Sequence, residues 1–135
     1  MNMIESISKL RVRYSETDQM GFVYYGNYAQ YLEVGRVDAL KALGLSYKSM
    51  EESGYALPVK ELIIKYHNAA KFDDELEVIT RVKQMPSNKI VFDYEIRRKD
   101  ALIVTAQTTL FFIDVNKRAC RPPKYFVEKM ELYFS

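Results

Sequence analysis

The sequence predicts an α+β fold in which one long α-helix covers one face of an antiparallel β-sheet. Apolar residues recur at helical spacing in a single long stretch, residues 27–43. Period-2 alternation, which is typical of strands, precedes that stretch and dominates the chain after Ala56. Short turn-like segments separate the later strands and favour antiparallel hairpins. One helix layer on such a sheet is an α+β arrangement.

The first predicted elements are a strand, a polar loop and the long helix. The strand is indicated by Leu10, Val12 and Tyr14 alternating with Lys9, Arg11 and Arg13. The loop holds a lone acidic residue, Asp18. Asn27 is a suitable N-cap for the helix, and Gly44 suits the C′ position that ends it. Ser46 could cap a second, shorter helix that stops at Gly54.

Four more strands are predicted after these helices, at residues 62–67, 76–83, 89–96 and 102–115. The last run is apolar on both sides, which predicts a central strand. Two prolines at residues 122–123 break the pattern, and residues 124–133 are expected to form a short helix or an ordered tail. A sheet with one helix layer and such a strand buries too little alone, so we expect association with other copies.

Length and composition predict one domain, residues 1–135, because 48% hydrophobic content can build one core. Twenty basic and 18 acidic residues are spread along the chain, which gives no global case for nucleic-acid or anionic-membrane partners. No signal peptide and no run of about 18 apolar residues is present, so we expect a cytoplasmic protein without membrane insertion. The single cysteine, Cys120, excludes an internal disulfide and a cysteine-based metal cluster.

The loop around Asp18 is the candidate catalytic site. An aspartate with an unperturbed pKa of about 3.9 is ionised at neutral pH. Free backbone N–H groups at a nearby helix start carry partial positive charge and can polarise a bound carbonyl. A carboxylate and an amide on opposite sides of one carbonyl would make an acyl-transfer site. The alternative is a loop residue that caps backbone amides.

The stretch from Tyr14 to Tyr28, YSETDQMGFVYYGNY, continues through residues 33–36 and 43–47. It resembles the small hotdog-fold acyl-CoA thioesterases of the 4-hydroxybenzoyl-CoA thioesterase type, including the Tol-Pal-associated group. The resemblance covers nearly the whole chain and is weakest in the C-terminal tail. It implies a hotdog fold, with an antiparallel β-sheet wrapped around one long central α-helix, an acyl-CoA substrate and no cofactor. It also implies a homo-oligomer, a dimer with one continuous sheet that is commonly paired again into a tetramer, with the acyl site at the dimer interface.

The resemblance implies that Asp18 is the essential carboxylate, either as nucleophile on the thioester carbonyl or as general base on water. The sequence does not separate these two roles. It also implies that the backbone N–H of Tyr25 polarises the carbonyl. This position is often histidine in the Tol-Pal-associated group, so tyrosine keeps the amide and removes the imidazole.

Six residues are expected at the substrate: Gly26, Asn27, Tyr28, Ser87, Asn88 and Lys89. Gly26 would allow close approach of the substrate. Asn27 also has the N-cap interpretation, which we favour over direct contact. The turn at residues 87–89, with Arg97 and Arg98 at the far end of its strand, offers partners for CoA phosphates, although a solvated charged face is the simpler interpretation.

Five aromatic residues could line an acyl pocket or simply belong to the core, where aromatics are common: Tyr14, Phe22, Tyr24, Tyr28 and Tyr31. His67 is the only histidine and is expected to be a hydrogen-bonded structural residue. A metallohydrolase would need several histidine ligands. A hotdog dehydratase would need a histidine paired with an acidic residue at the start of the helix region. Neither set of residues is present in the sequence. The alternative function that we keep is a non-catalytic module that binds acyl-CoA or acyl-carrier protein.

Overall fold

One long helix lies against a five-stranded antiparallel sheet in the computed structural model, which describes residues 2–134. The strands are β1 (Ile4–Arg11), β2 (Val59–Tyr66), β3 (Glu75–Val82), β4 (Lys89–Arg98) and β5 (Ala101–Phe111). Their order across the sheet is β1-β3-β4-β5-β2. The helices are α1 (Tyr28–Ala42), α2 (Tyr47–Glu52) and α3 (Lys124–Glu131). The predicted fold class is confirmed, and the sheet and long helix form the hotdog arrangement.

Helix α1 packs closely on β3 because Gly35 faces the sheet. A Cβ atom at Gly35 would lie 2.3 Å from Oγ1 of Thr80 and 2.8 Å from Cγ1 of Val78, both inside contact distance. The buried side of the helix also carries larger residues: Tyr28, Tyr31, Leu32, Arg36, Ala39 and Leu40. Glycine at the crossing therefore sets the distance between the helix and the sheet.

The ends of α1 and α2 follow the predicted signals. Gly44 has a φ of +76°, which suits the residue that ends a helix. The Ser46 hydroxyl accepts a hydrogen bond from the Ser49 N–H at 3.0 Å and so caps α2. The short C-terminal helix is present as α3.

The first strand lies earlier than predicted. β1 ends at Arg11, and Tyr14 lies in a 3-10 turn with 77% of its surface exposed. The reason is the partner strand: Arg11 pairs with Glu75, where β3 begins, so the sheet offers no further strand to pair with. The last strand is central, between β4 and β2, but ends at Phe111 rather than residue 115 because a turn closes from Asp114 to Lys117.

The register also fixes which loops share an end of the sheet. The Asp18 loop follows Arg11, at the end where Arg11 pairs with Glu75. The turn between β3 and β4 lies at the other end, beside the pair of Ile4 and Val82. Tyr66 pairs with Val104 near the end that carries the Asp18 loop.

Candidate active site

The loop after β1 folds back on itself as a narrow turn that presents Asp18. Thr17 pairs with Val23 in an antiparallel bridge. Inside it, the Asp18 N–H donates to the Phe22 carbonyl at 2.7 Å, and the Gly21 N–H donates to the Asp18 carbonyl at 3.0 Å. Gly21 has a φ of +83°, a left-handed conformation that favours glycine. The turn therefore holds the Asp18 backbone rigidly at the surface.

The two oxygens of the Asp18 carboxylate have different surroundings. Oδ1 accepts hydrogen bonds from the N–H groups of Met20 at 2.9 Å and Phe22 at 3.2 Å. No donor among residues 2–134 binds Oδ2. One oxygen thus caps backbone amides, as the loop-residue alternative predicts, while the other is left available for chemistry on an exposed side chain.

Two neighbouring backbone amides at the start of the long helix have no acceptor among residues 2–134. A 3-10 turn at Tyr25–Asn27 leads directly into α1, and its hydrogen bonds run from the Asn27 N–H to the Tyr24 carbonyl and from the Tyr28 N–H to the Tyr25 carbonyl. The N–H groups of Tyr25 and Gly26 donate to no acceptor within the described part of the chain. Such groups at a helix start carry partial positive charge and bind anionic oxygens.

Glu16 connects this turn to the Asp18 loop. Its carbonyl oxygen accepts a hydrogen bond from the Tyr24 N–H at 2.9 Å and another from Nδ2 of Asn27 at 2.9 Å. Asn27 is the N-cap residue of α1, as predicted, but its side chain does not cap the helix amides, because it binds Glu16 and its backbone is already helical, with φ −76° and ψ −16°. An N-cap side chain needs an extended backbone to reach the helix amides.

Aromatic rings surround the free amides. The rings of Tyr24 and Tyr25 lie 4.7 Å apart between centroids, and Tyr66 of β2 contacts Tyr25 edge-on at 6.3 Å. A Cβ atom at Gly26 would lie 2.8 Å from a ring carbon of Tyr24, so the ring lies directly over this glycine. Tyr25 itself is 62% exposed.

Tyr28 and Tyr31 belong to the core rather than to an open pocket. Each is 3% exposed, and their rings meet edge-on. The Tyr28 hydroxyl accepts a hydrogen bond from the Ala70 N–H at 3.2 Å, and the Tyr31 hydroxyl donates to Glu16. Burial and the neighbouring Glu16 carboxylate raise the pKa of Tyr31 well above its usual range. Both hydroxyls are therefore used inside the protein.

The turn that carries Ser87, Asn88 and Lys89 lies at the opposite end of the sheet from Asp18, and all three residues are exposed. One chain does not bring them together with the Asp18 loop. Arg98 is at the Asp18 end, where it binds the Asp74 carboxylate at 2.9 Å. Arg97 pairs with Glu95 at 2.7 Å.

His67 lies just after β2, and its Nε2 is 2.8 Å from the Thr105 hydroxyl. This hydrogen bond matches the structural interpretation. Within residues 2–134, no three His, Cys, Asp or Glu side chains gather as a metal site would require. No helix in the same range has the length and apolar character needed to cross a membrane.

Glu16 is the feature that the sequence analysis did not single out. It is 7% exposed, and its carboxylate accepts hydrogen bonds from the Arg13 N–H at 2.8 Å, the Arg13 guanidinium at 3.1 and 3.2 Å, and the Tyr31 hydroxyl at 2.8 Å. Burial raises the pKa of Glu16, but the hydrogen bonds from Arg13 and Tyr31 outweigh it and lower the pKa below the ordinary value of 4.5. The only signal for this ion pair in the sequence was an acidic residue three positions after an arginine.

Comparison with known proteins identifies the relatives of this chain. A family model described as the thioesterase-like superfamily matches residues 12–130. YneP of Bacillus subtilis is 34% identical over 120 residues, which cover 89% of this chain and 86% of YneP. The acyl-CoA thioesterase YbgC of Haemophilus influenzae is 33% identical over 109 residues, 80% of each chain. The solved structure of the DHNA-CoA thioesterase from Staphylococcus aureus superposes with a TM-score of 0.88 at 36% identity, over 96% of this chain and 88% of that one.

Proposed function

This chain belongs to the thioesterase-like superfamily, and from that premise we propose that it hydrolyses acyl-CoA thioesters to a carboxylic acid and CoA. The observation that carries the proposal is that a carboxylate and two free amides lie on neighbouring turns. Asp18 presents an unbound oxygen, and the neighbouring turn presents two N–H groups without acceptors among the described residues. The names of the YbgC and DHNA-CoA relatives support the same reaction.

The free amides of Tyr25 and Gly26 would act on the thioester carbonyl. Hydrogen bonds from them, aided by the helix dipole, stabilise the negative charge that develops on the carbonyl oxygen in the transition state. Loss of one such donor typically costs about 10²–10³ in turnover. The donors are backbone groups, so tyrosine at position 25 serves this purpose as well as any other residue that keeps the turn.

Asp18 would act on the carbonyl carbon in one of two ways. As a nucleophile, Oδ2 attacks the carbon, the CoA thiolate leaves, and water then hydrolyses the acyl–Asp18 anhydride. As a general base, Asp18 takes a proton from water, the resulting hydroxide attacks, and the proton passes to the departing thiolate. The fixed Oδ1 supports either route, because it restricts the carboxylate to one orientation.

We further propose a cytoplasmic homo-oligomer joined through β2. This strand is at the edge of the sheet, and its apolar side chains are exposed by 42% at Val59, 44% at Leu62 and Ile63, and 50% at Tyr66. Exposed apolar edge strands are normally covered. Two copies joined antiparallel through β2 would bring the turn at residues 87–89 of one copy to the same end as the Asp18 loop of the other, where it could bind CoA phosphates.

The test is a panel of aliphatic and aromatic acyl-CoA thioesters, with release of the CoA thiol measured over time. The expected result is saturable hydrolysis of at least one member by the purified protein. An Asp18→Asn preparation made in parallel controls for contaminating thioesterases. Tight binding of acyl-CoA by calorimetry without turnover of any member would reject hydrolysis and favour the non-catalytic binding module.

A further inference from the structure

We propose that Glu16 is a positioning residue, which holds the amides of Tyr25 and Gly26 in a fixed place relative to Asp18. The inference rests on the proposed thioesterase reaction and adds a requirement to it. Asp18 and the two amides are supplied by separate turns, and the reaction needs them at a fixed separation. Glu16 precedes Asp18 by two residues in the chain and contacts the residues that flank the two amides.

The first set of contacts comes from the Glu16 carbonyl. Its two donors are the Tyr24 N–H and the Asn27 side-chain amide, each at 2.9 Å. Tyr24 and Asn27 are the residues immediately before and after the two free amides. One oxygen atom therefore binds both sides of the segment that presents the amides, and rotation of that segment would have to break at least one of these hydrogen bonds.

The second set of contacts comes from the Glu16 carboxylate. Oε1 accepts from the Arg13 N–H and the Tyr31 hydroxyl, and Oε2 accepts from the Arg13 guanidinium. Tyr31 belongs to α1, whose preceding turn carries the amides, and Arg13 follows β1. The carboxylate thus joins the segment that follows β1 to α1, at the point where the chain turns toward Asp18, two residues later.

The burial of Glu16 indicates that its carboxylate is present for its directional hydrogen bonds. At 7% exposure its carboxylate is costly to remove from water, and the cost is offset only because every donor around it is in place. An apolar residue could fill the same space without these directional bonds. Such a substitution would keep the contacts of the Glu16 carbonyl but remove the hydrogen bonds that join residue 16 to Arg13 and Tyr31.

The experiment compares two buried tyrosines that each lose one hydroxyl. Tyr31→Phe removes the hydrogen bond to Glu16. Tyr94→Phe removes a hydroxyl that bonds Thr108 of the neighbouring strand and interacts with Arg36; both tyrosines are 3% exposed. We expect Tyr31→Phe to lower kcat by about tenfold or more, part of the loss for one oxyanion donor, with KM changed by less than about threefold. Tyr94→Phe should keep kcat within about twofold of the wild-type value, even if its Tm is lowered as much as that of Tyr31→Phe.

A second variant covers the case in which Tyr31→Phe does not fold. Asn27→Ser removes the side-chain donor to the Glu16 carbonyl at a half-buried position, and the same fall in kcat with unchanged KM is expected. A rise in KM at constant kcat would mean that Asn27 binds substrate instead, which overturns the positioning role. Wild-type kcat in both Tyr31→Phe and Asn27→Ser would overturn it as well. Absence of hydrolysis by the wild-type protein would reject the proposed function itself. Wild-type kcat in both variants of an active enzyme would reject only the positioning role, so the two failures are distinguishable.

Discussion

Replacing Gly35 with alanine should destabilise the protein, although alanine is the better helix former. Gly35 lies where α1 crosses β3, and an added Cβ would sit 2.3 Å from the Thr80 hydroxyl oxygen. Comfortable contacts between such atoms lie at about 3.5 Å. The overlap exceeds an ångström, and Thr80 is fully buried in the sheet, so it cannot turn away into solvent.

Two opposing terms decide the size of the effect. Alanine is favoured over glycine inside a helix by about 1 kcal/mol. Overpacking a well-filled core costs roughly 1–3 kcal/mol, and the second clash, at 2.8 Å from Val78, places this site toward the upper end. The expected net loss in the free energy of unfolding is therefore about 1–2 kcal/mol.

Urea unfolding followed by far-ultraviolet circular dichroism measures this loss, at one protein concentration because association would shift the midpoint. Val34 lies on the exposed side of the same helical turn. The difference in stability between Val34→Ala and Val34→Gly therefore gives the contribution of helix propensity alone. In a Thr80→Ala background, Gly35→Ala should cost less because the nearest clash is gone. If the Gly35→Ala protein is as stable as the wild type or more stable, the claim that this glycine sets the distance between the helix and the sheet is refuted.

Three further results are expected. Tyr25→Phe should keep most of the activity, because the proposed donor is the main-chain N–H; a loss of about a hundredfold in a folded protein would show that the hydroxyl takes part. Light scattering should show a dimer or larger species, and a 15.8 kDa particle at micromolar concentration would contradict association through β2. Because the pKa of Glu16 is lowered from 4.5 on folding, its stabilisation is present above about pH 4.5 and lost as the pH falls through the folded pKa. The advantage of wild type over Glu16→Gln in urea unfolding should therefore shrink below that pH, and a constant gap from pH 7 to 3 would refute it.

Local signals were sufficient for the helices. Gly44 and Ser46 mark helix ends through their own backbone and side-chain preferences, and both act as predicted. The end of β1 was not predictable in the same way, because it depends on where β3 begins, more than sixty residues later. The N-cap position of Asn27 was predictable but its side-chain contact was not, because the 3-10 turn before α1 makes its backbone helical, which a residue-type preference does not reveal.

The candidate site was only partly accessible from sequence. Asp18 and Tyr25 are seven residues apart, so their neighbourhood follows from one turn and one bridge between Thr17 and Val23. The placement of residues 87–89 at the other end of the sheet required the register of β3 against β1. Glu16 was not identified because its importance lies in its contacts, and the residues that it contacts besides Arg13 lie eight to fifteen residues later in the chain.

The most direct test of the proposed reaction is single-turnover hydrolysis by Asp18→Asn. The amide keeps the size of the side chain and one oxygen for the Met20 and Phe22 amides, while it removes the negative charge. We predict that turnover falls by more than about a hundredfold, the range for losing a general acid or base, while acyl-CoA binding stays within a few-fold. A folded, normally assembled Asp18→Asn protein that hydrolyses its best substrate at the wild-type rate would show that Asp18 is a loop residue and contradict the mechanism.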